Sequence, residues 1–215
     1  MAWLGVALAL IAYFIWQNND IILSKVGWSH RKVPPLFDGF RILLVSDLHG
    51  KRFGRGQRWL LDKAAACRPD IIVITGDIVD GRRKKTEDAL SFIAQAAGIA
   101  PVYCVTGNHE WRYGRYDEFR EQLMAAGAVV LDNAIMTLQK GEGKIHLAGV
   151  KDPAFGSKSA FKKSLRKLAE SPGMTILLTH RPEEIALYAA YGFELVLAGH
   201  AHGGQVRLPF IGGLY

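Results

Sequence analysis

Apolar runs of strand length alternate with stretches of helical periodicity along most of this chain. Residues 41–46 form a short apolar run, and 57–67 carry the three-to-four-residue apolar spacing of an amphipathic helix. The same pairing recurs, with strands predicted at 71–74 and 102–105 and helices at 86–97 and 116–126. Strands that are apolar throughout, rather than alternating, are buried on both faces, and the intervening helices supply the cover. Segments 129–131, 135–138 and 145–150 follow at hairpin-like spacing and predict a local antiparallel portion. A basic helix over 159–168, a strand at 175–178, a helix near 183–190 and a strand at 195–198 complete the pattern. The predicted class is α/β, with a mixed sheet or two packed sheets.

The N-terminus departs from this pattern. Residues 1–16 are apolar without a break and give way to Gln17-Asn18-Asn19-Asp20. As a helix the run is about 24 Å long, against a hydrocarbon core of ~30 Å. A membrane anchor, a cleaved signal peptide and a buried core helix are the three readings. No Lys or Arg precedes the run, and bulky Tyr13, Phe14 and Trp16 stand where a cleavage site needs small residues. A core helix needs a polar face, and none is present. Trp3, Tyr13 and Trp16 suit membrane interfaces. Residues 1–20 are therefore expected to anchor the chain in the cell membrane. Lys25, Arg31 and Lys32 close behind place the remainder on the cytoplasmic face by the positive-inside rule. A first strand is expected at 21–28 and a connector at 30–37 around Pro34-Pro35, leaving 41–215 as the main domain.

Composition adds little to the fold but narrows the class. With 49% hydrophobic and 22% charged residues, the chain is neither disordered nor a repeat array. A net charge of +7 is concentrated at 51–58, 82–85 and 158–167. Such clusters either draw in phosphate-bearing ligands or are solvated faces. Cys67 and Cys104 both read as small buried hydrophobes, with no disulfide or metal pairing implied.

The chemistry sits at the predicted strand ends. Five strands are followed by Asp47-Leu48-His49, Gly76-Asp77-Ile78-Val79-Asp80, Gly107-Asn108-His109-Glu110, Thr179-His180 and Gly199-His200-Ala201-His202. In open α/β sheets these carboxyl ends form the ligand crevice. Each motif alone has a bland reading, as a helix cap, a turn or a satisfied polar residue. Five of the seven histidines nevertheless fall in these loops, which chance placement does not explain. Mixed oxygen and nitrogen donors without thiolate suit Mn, Fe or Zn. So many donors fit two cations sharing a carboxylate, and such a pair can clamp phosphoryl oxygens.

In this order the blocks D-x-H, G-D-x-x-D, G-N-H-[DE], a single H and G-H-x-H resemble the calcineurin-like metallophosphoesterases, over residues 41–207. The resemblance implies a β-sandwich flanked by helices, and hydrolysis of a phosphate ester by metal-bound hydroxide. By matching position, Asp47, His49 and His202 hold one divalent metal and Asn108, His180 and His200 the other, with Asp77 bridging both. His109 is implied as the acid that protonates the leaving oxygen, and Asp80 as a residue that orients a ligand or closes its loop.

The N-terminal run, residues 35–40 and Gly203-Gly204-Gln205 are similar to one branch of that family. This branch comprises membrane-anchored phosphodiesterases, some described as UDP-2,3-diacylglucosamine hydrolases. It implies a phosphodiester or a pyrophosphate-linked lipid precursor as substrate. Ala201 stands where a Thr is common in the branch. The chain ends at Gly212-Gly213-Leu214-Tyr215, where family members usually continue through further strands, so a fragment or an incomplete second sheet is expected. A family nuclease is one alternative, although no nucleic-acid-binding module is visible and nucleic acid is not the expected partner. A non-catalytic, membrane-anchored metal-binding protein is the other.

Overall fold

The computed structural model describes residues 2–83, 85–202, 206–208 and 212–214. Two four-stranded sheets carry the main domain. The first holds β1 (Ile42–Val45), β2 (Ile71–Thr75), β3 (Val102–Val105) and β4 (Ala128–Val130) in that order, all parallel. The second holds β5 (Ala134–Lys140), β6 (Gly143–Gly149), β7 (Met174–Thr179) and β8 (Leu195–Ala198). In it β5 and β6 form an antiparallel hairpin, and β6, β7 and β8 run parallel.

The period-two geometry of a strand divides each all-apolar run between two cores. In β2, Ile72 and Ile74 pack outward with Phe92 and Ile93 of α3 (Glu87–Ala96) and Phe119 and Leu123 of α5 (Tyr116–Ala125). Leu61 of α2 (Arg58–Ala66) joins the same cluster. Ile71 and Val73 instead face the second sheet, packing with Tyr103, Val105, Leu147, Ile176 and Leu178. The outer face of the second sheet is covered by Phe161, Leu165 and Leu168 of α6 (Lys158–Ala169) and Tyr188 of α7 (Ile185–Ala190). The result is four layers, helix–sheet–sheet–helix, as the α/β pattern and the sandwich expectation required. Side chains as fully buried as Phe92, Phe119 and Leu177 each stabilise it by roughly 1.5–3 kcal/mol.

Four expectations are corrected. β4 belongs to the parallel first sheet and not to the hairpin segment. Gly127 (φ 100°) turns the chain after α5 so that 128–130 return beside β3, completing a β-α-β crossover. Residues 21–28 form no strand, because they have no neighbour to supply a ladder; Ile22 and Val26 are 79% and 89% exposed. Asn108 and His109 lie on a short helix, α4 (Asn108–Tyr113), and not in an open loop. Cys104 is buried as expected, but Cys67 is half-exposed, its Sγ directed at the Lys63 carbonyl at the end of α2.

The connector does more than link. Pro35–Phe37 form a 3₁₀ turn that drives Phe37 into the core between the sheets, against Phe40. The basic cluster on α6 is the solvated face of an amphipathic helix, its apolar face being the buried one. β9 (Val206–Leu208) and β10 (Gly212–Leu214) pair antiparallel with each other, while Gly203-Gly204-Gln205 lie outside the described residues.

The N-terminal run does form a helix, α1 (Ala2–Asn19), with Trp3, Leu10, Phe14 and Trp16 exposed. Among the described residues, however, no helix is long and apolar enough to cross a membrane. Eighteen residues rise only about 27 Å, and the last turn is spent on Gln17, Asn18 and Asn19. The expected single-pass span is therefore not supported, and the expected cytoplasmic sidedness has no span to set it.

Candidate metal centre

Parallel strands within each sheet deliver their carboxyl ends to one rim, and the two rims meet. The loops after β1 and β2 run side by side: Asp47 N–H donates to the Gly76 carbonyl (3.2 Å), His49 N–H to that of Asp77 (2.9 Å) and Gly50 N–H to that of Ile78 (2.9 Å). The second sheet is tied to the first by imidazole and backbone. His180, fully buried after β7, places Nδ1 2.7 Å from the Thr75 carbonyl. His200 N–H donates to Asp47 Oδ2 (2.9 Å). A Cβ at Gly199 would collide with Ser46 Oγ and Asp47, so only glycine lets the β8 loop come this close.

Seven of the eight residues anticipated at this site, all but Asn108, fall into three sets of converging donors: Asp47, His49 and His202; Asp77, His180 and His200; and His49, Asp77 and His109. Within each set the donor atoms lie within 4.8 Å of one another. His202 Nε2 is 3.3 Å from Asp47 Oδ1 and 3.2 Å from His49 Nε2. Asp77 Oδ2 is 3.2 Å from His180 Nε2 and 3.9 Å from His49 Nε2, between the first two sets. His200 Nδ1 is 3.1 Å from His180 Nε2. Asn108, at the first position of α4, buries its Oδ1 without a hydrogen bond.

Two features fit this donor set to cations. The buried oxygens Asp47 Oδ1 and Asn108 Oδ1 accept no hydrogen bond, a costly arrangement that a metal ion would relieve. Asp47, His49, Asp77, His200 and His202 also all adopt left-handed φ, between 49° and 69°. They are five of the eight non-glycine residues that do so among the described residues, and strain of this kind concentrates where function over-determines the backbone.

Electrostatics match. Burial alone would raise the Asp77 carboxyl, but the hydrogen bond and charge of His180 hold it below the ordinary carboxylate range. Burial opposes a charge on His180, yet Asp77 lifts it to about 9. A proton thus sits on the same lone pairs that a cation needs, so proton and metal compete there. Desolvation lowers His49 and His200, His200 also because of the adjacent Arg181 charge. Both are thereby kept as neutral imidazoles, the form that ligates metal.

His109 reaches the centre from α4. Its backbone N–H donates to Asp77 Oδ1 (2.8 Å) and its ring stands edge-on to His49, centroids 4.4 Å apart. Gly81 N–H donates to Nδ1 (3.3 Å), and Nε2 lies 3.2 Å from Arg112 Nη1, so both ring nitrogens face N–H donors. Asp80 closes its own loop by accepting from Arg82 N–H (2.9 Å) and lies 3.7 Å from His109 Nδ1. A cleft of about 510 Å³ opens beside His49, lined also by Asp80, Arg83, Lys85 and Asp88.

Three residues at the site escape sequence reasoning. Glu110 is buried and accepts from the backbone N–H groups of Asp77 (2.8 Å), Ile78 (2.9 Å), Val79 (3.3 Å) and Gly107 (2.7 Å). Burial and the Asp77 charge push it up to about 7, against those donors. Its place in the Gly-Asn-His-Glu block is the only signal it carried. Asp152 and Arg181 form a bidentate pair at 2.7 and 3.0 Å beside His200, and no motif pointed to them.

Comparison with known proteins agrees with this geometry. The family described as calcineurin-like phosphoesterase matches residues 40–204. The uncharacterized metallophosphoesterase YkuE of Bacillus subtilis is 30% identical over 187 residues, covering 84% of this chain and 64% of that protein. A zebrafish (Danio rerio) transmembrane protein with metallophosphoesterase domain is 29% identical over 208 residues, covering 86% of this chain and 47% of that protein. The chain thus spans about half to just under two-thirds of the length of these relatives. Among solved structures, TT1561 of Thermus thermophilus aligns with TM-score 0.53 at 18% identity, over 74% of this chain and 81% of that one. Phosphopantetheinyl hydrolase of Mycobacterium tuberculosis aligns with TM-score 0.54 at 15% identity, over 80% of this chain and 86% of that one. At such identities these two establish likeness of fold.

Proposed function

We propose, from the premise that this chain belongs to the calcineurin-like phosphoesterase family, that it hydrolyses a phosphate ester at a centre of two divalent cations. Asp47, His49 and His202 would hold one cation and Asn108, His180 and His200 the other, with Asp77 serving both. The observation that carries this reading is the pair of donor sets meeting at Asp77, together with the buried, unpartnered oxygens of Asp47 and Asn108. Nitrogen and oxygen donors without thiolate favour Mn, Fe or Zn. When bound, such cations polarise phosphoryl oxygens and lower the pKa of a water. The chain's own residues do the rest: the two imidazole–carboxylate sets fix the donors, and His109 supplies a proton to the departing oxygen. Metal analysis after loading with each cation, together with chromogenic mono- and diester assays, tests this. A preparation carrying both metals that hydrolyses neither class sinks it.

His109→Ala is expected to lower kcat by about 10²–10⁴-fold, the range of a general acid, with metal content unchanged. The loss shrinks for esters with good leaving groups, which need less proton donation. Loss of metal from this variant would instead make His109 a ligand, the role open to it in the set with His49 and Asp77.

For substrate class we favour a phosphodiester or a pyrophosphate-linked lipid precursor such as UDP-2,3-diacylglucosamine, supported by the exposed apolar helix α1, which suits a chain working at a lipid surface. A relative named as a transmembrane protein points the same way. The chain should remain with membranes through a high-salt wash, since screening strips only electrostatic attachment. Complete release by salt removes α1 from the account and leaves the metal centre untouched.

A further inference from the structure

Among the described residues, Arg181 is the guanidinium built into the metal centre by a buried carboxylate. Its Nε donates to Asp152 Oδ2 (2.7 Å) and Nη2 to Asp152 Oδ1 (3.0 Å). The Asp152 side chain has no solvent exposure and that of Arg181 only 17%. Asp152 is itself fixed: its N–H donates to Thr106 Oγ1 (2.9 Å), and its Oδ1 also accepts from Ala154 N–H (2.8 Å). The fork consumes one edge of the guanidinium and aims the other, through Nη1, at His200 Nε2, 3.1 Å away. Glu183, 3.6 Å from Nη1, is the remaining acid in reach and is more than half exposed.

That last contact with His200 cannot persist in a metal-loaded centre. His200 turns Nδ1 toward His180 Nε2 and Asp77 Oδ2, the atoms that converge at this end of the site. An imidazole that gives the Nδ1 lone pair to a cation keeps its proton on Nε2. Two N–H groups then face each other, and the Nη1 edge of Arg181 keeps only the exposed Glu183 carboxylate, 3.6 Å away, while Asp152 still holds it in place. With its other edge already neutralised by Asp152, the Nη1 edge next to cations is a donor that favours an incoming anion. A planar donor edge is the group that best matches phosphoryl oxygens.

We propose that Arg181, clamped by Asp152, is a phosphate-binding residue of this centre, its Nη1 edge receiving a non-bridging oxygen of the substrate phosphoryl group. The proposal rests on the phosphoesterase reading above. It assigns Asp152 a positioning role, since that carboxylate acts only through the guanidinium.

The test uses the full chain loaded with zinc and titrated calorimetrically with inorganic phosphate. Arg181→Lys keeps the charge opposite Asp152 but loses the fork. The double change Arg181→Gln with Asp152→Asn removes the buried pair together, leaving no unmatched charge to unfold the protein. The double variant is expected to keep both metals and bind phosphate about 10–100-fold more weakly, the scale of lost charge-assisted hydrogen bonds. Arg181→Lys should fall between it and the wild type. In turnover assays KM rises more than kcat falls. Phosphate affinity within about twofold of wild type, with both metals present, overturns the proposal. So does loss of metal from the double variant, which would make the pair a support for His200 instead. A zinc-loaded wild type that binds no phosphate at all fails earlier, and the fault then lies with the phosphoesterase reading itself.

Discussion

Asp77→Asn is expected to abolish most turnover, by on the order of 10³-fold or more, and to do so more completely than a change at any residue of a single donor set. Metal Lewis-acid chemistry contributes several kcal/mol to the transition state, and each 1.36 kcal/mol is a factor of ten. Asp77 stands between both sets, 3.2 Å from His180 Nε2 and 3.9 Å from His49 Nε2. Its other oxygen is held by His109 N–H (2.8 Å). The amide keeps the shape and removes the charge. If it turns its NH₂ toward His180, a second donor also points at the place a cation needs. Steady-state kinetics with metal content measured on the same sample check this. Near-normal turnover with two bound metals overturns the assignment of Asp77 to both cations.

The largest loss of stability is expected at a residue that touches no substrate. Glu110→Ala leaves four backbone N–H groups without their carboxylate, in a place where the side chain is 2% exposed. Removing one partner from a buried charged network costs about 3–5 kcal/mol. Because three of those donors belong to the segment 77–79, the loop carrying Asp77 loosens with them. Chemical denaturation should show the midpoint falling at unchanged slope. A difference under about 1 kcal/mol would mean that water replaces the carboxylate.

Much of this was legible in the chain. All-apolar runs such as Ile71-Ile72-Val73-Ile74 announce a strand buried on both faces, and Ile72 and Ile74 turn out to serve one core while Ile71 and Val73 serve another. Seven histidines divide cleanly, because imidazoles placed just after strands share a rim once those strands run parallel. What escaped notice was set by partners far along the chain. Residues 21–28 have strand-forming side chains but no strand to pair with. β4 reads as part of a hairpin until the turn at Gly127 carries it back beside β3. Arg181 and Asp152 are 29 positions apart and meet only after the second sheet forms. The helix α1 was readable as a helix, but among the described residues no helix is long and apolar enough to cross a membrane.

The left-handed backbone at Asp47, His49, Asp77, His200 and His202 also limits how this site can be altered. Beyond glycine, the left-handed region is most accessible to Asn, Asp and His. These are also the side chains that offer oxygen or nitrogen to a hard or borderline cation. The loops therefore filter the alphabet of ligands before any metal arrives. Converting the centre to thiolate ligation, or lengthening Asp to Glu for a larger ion, sets the new side chain against the backbone as well as against the coordination sphere. Redesign for a different metal has to begin with the turns, and only then with the donors.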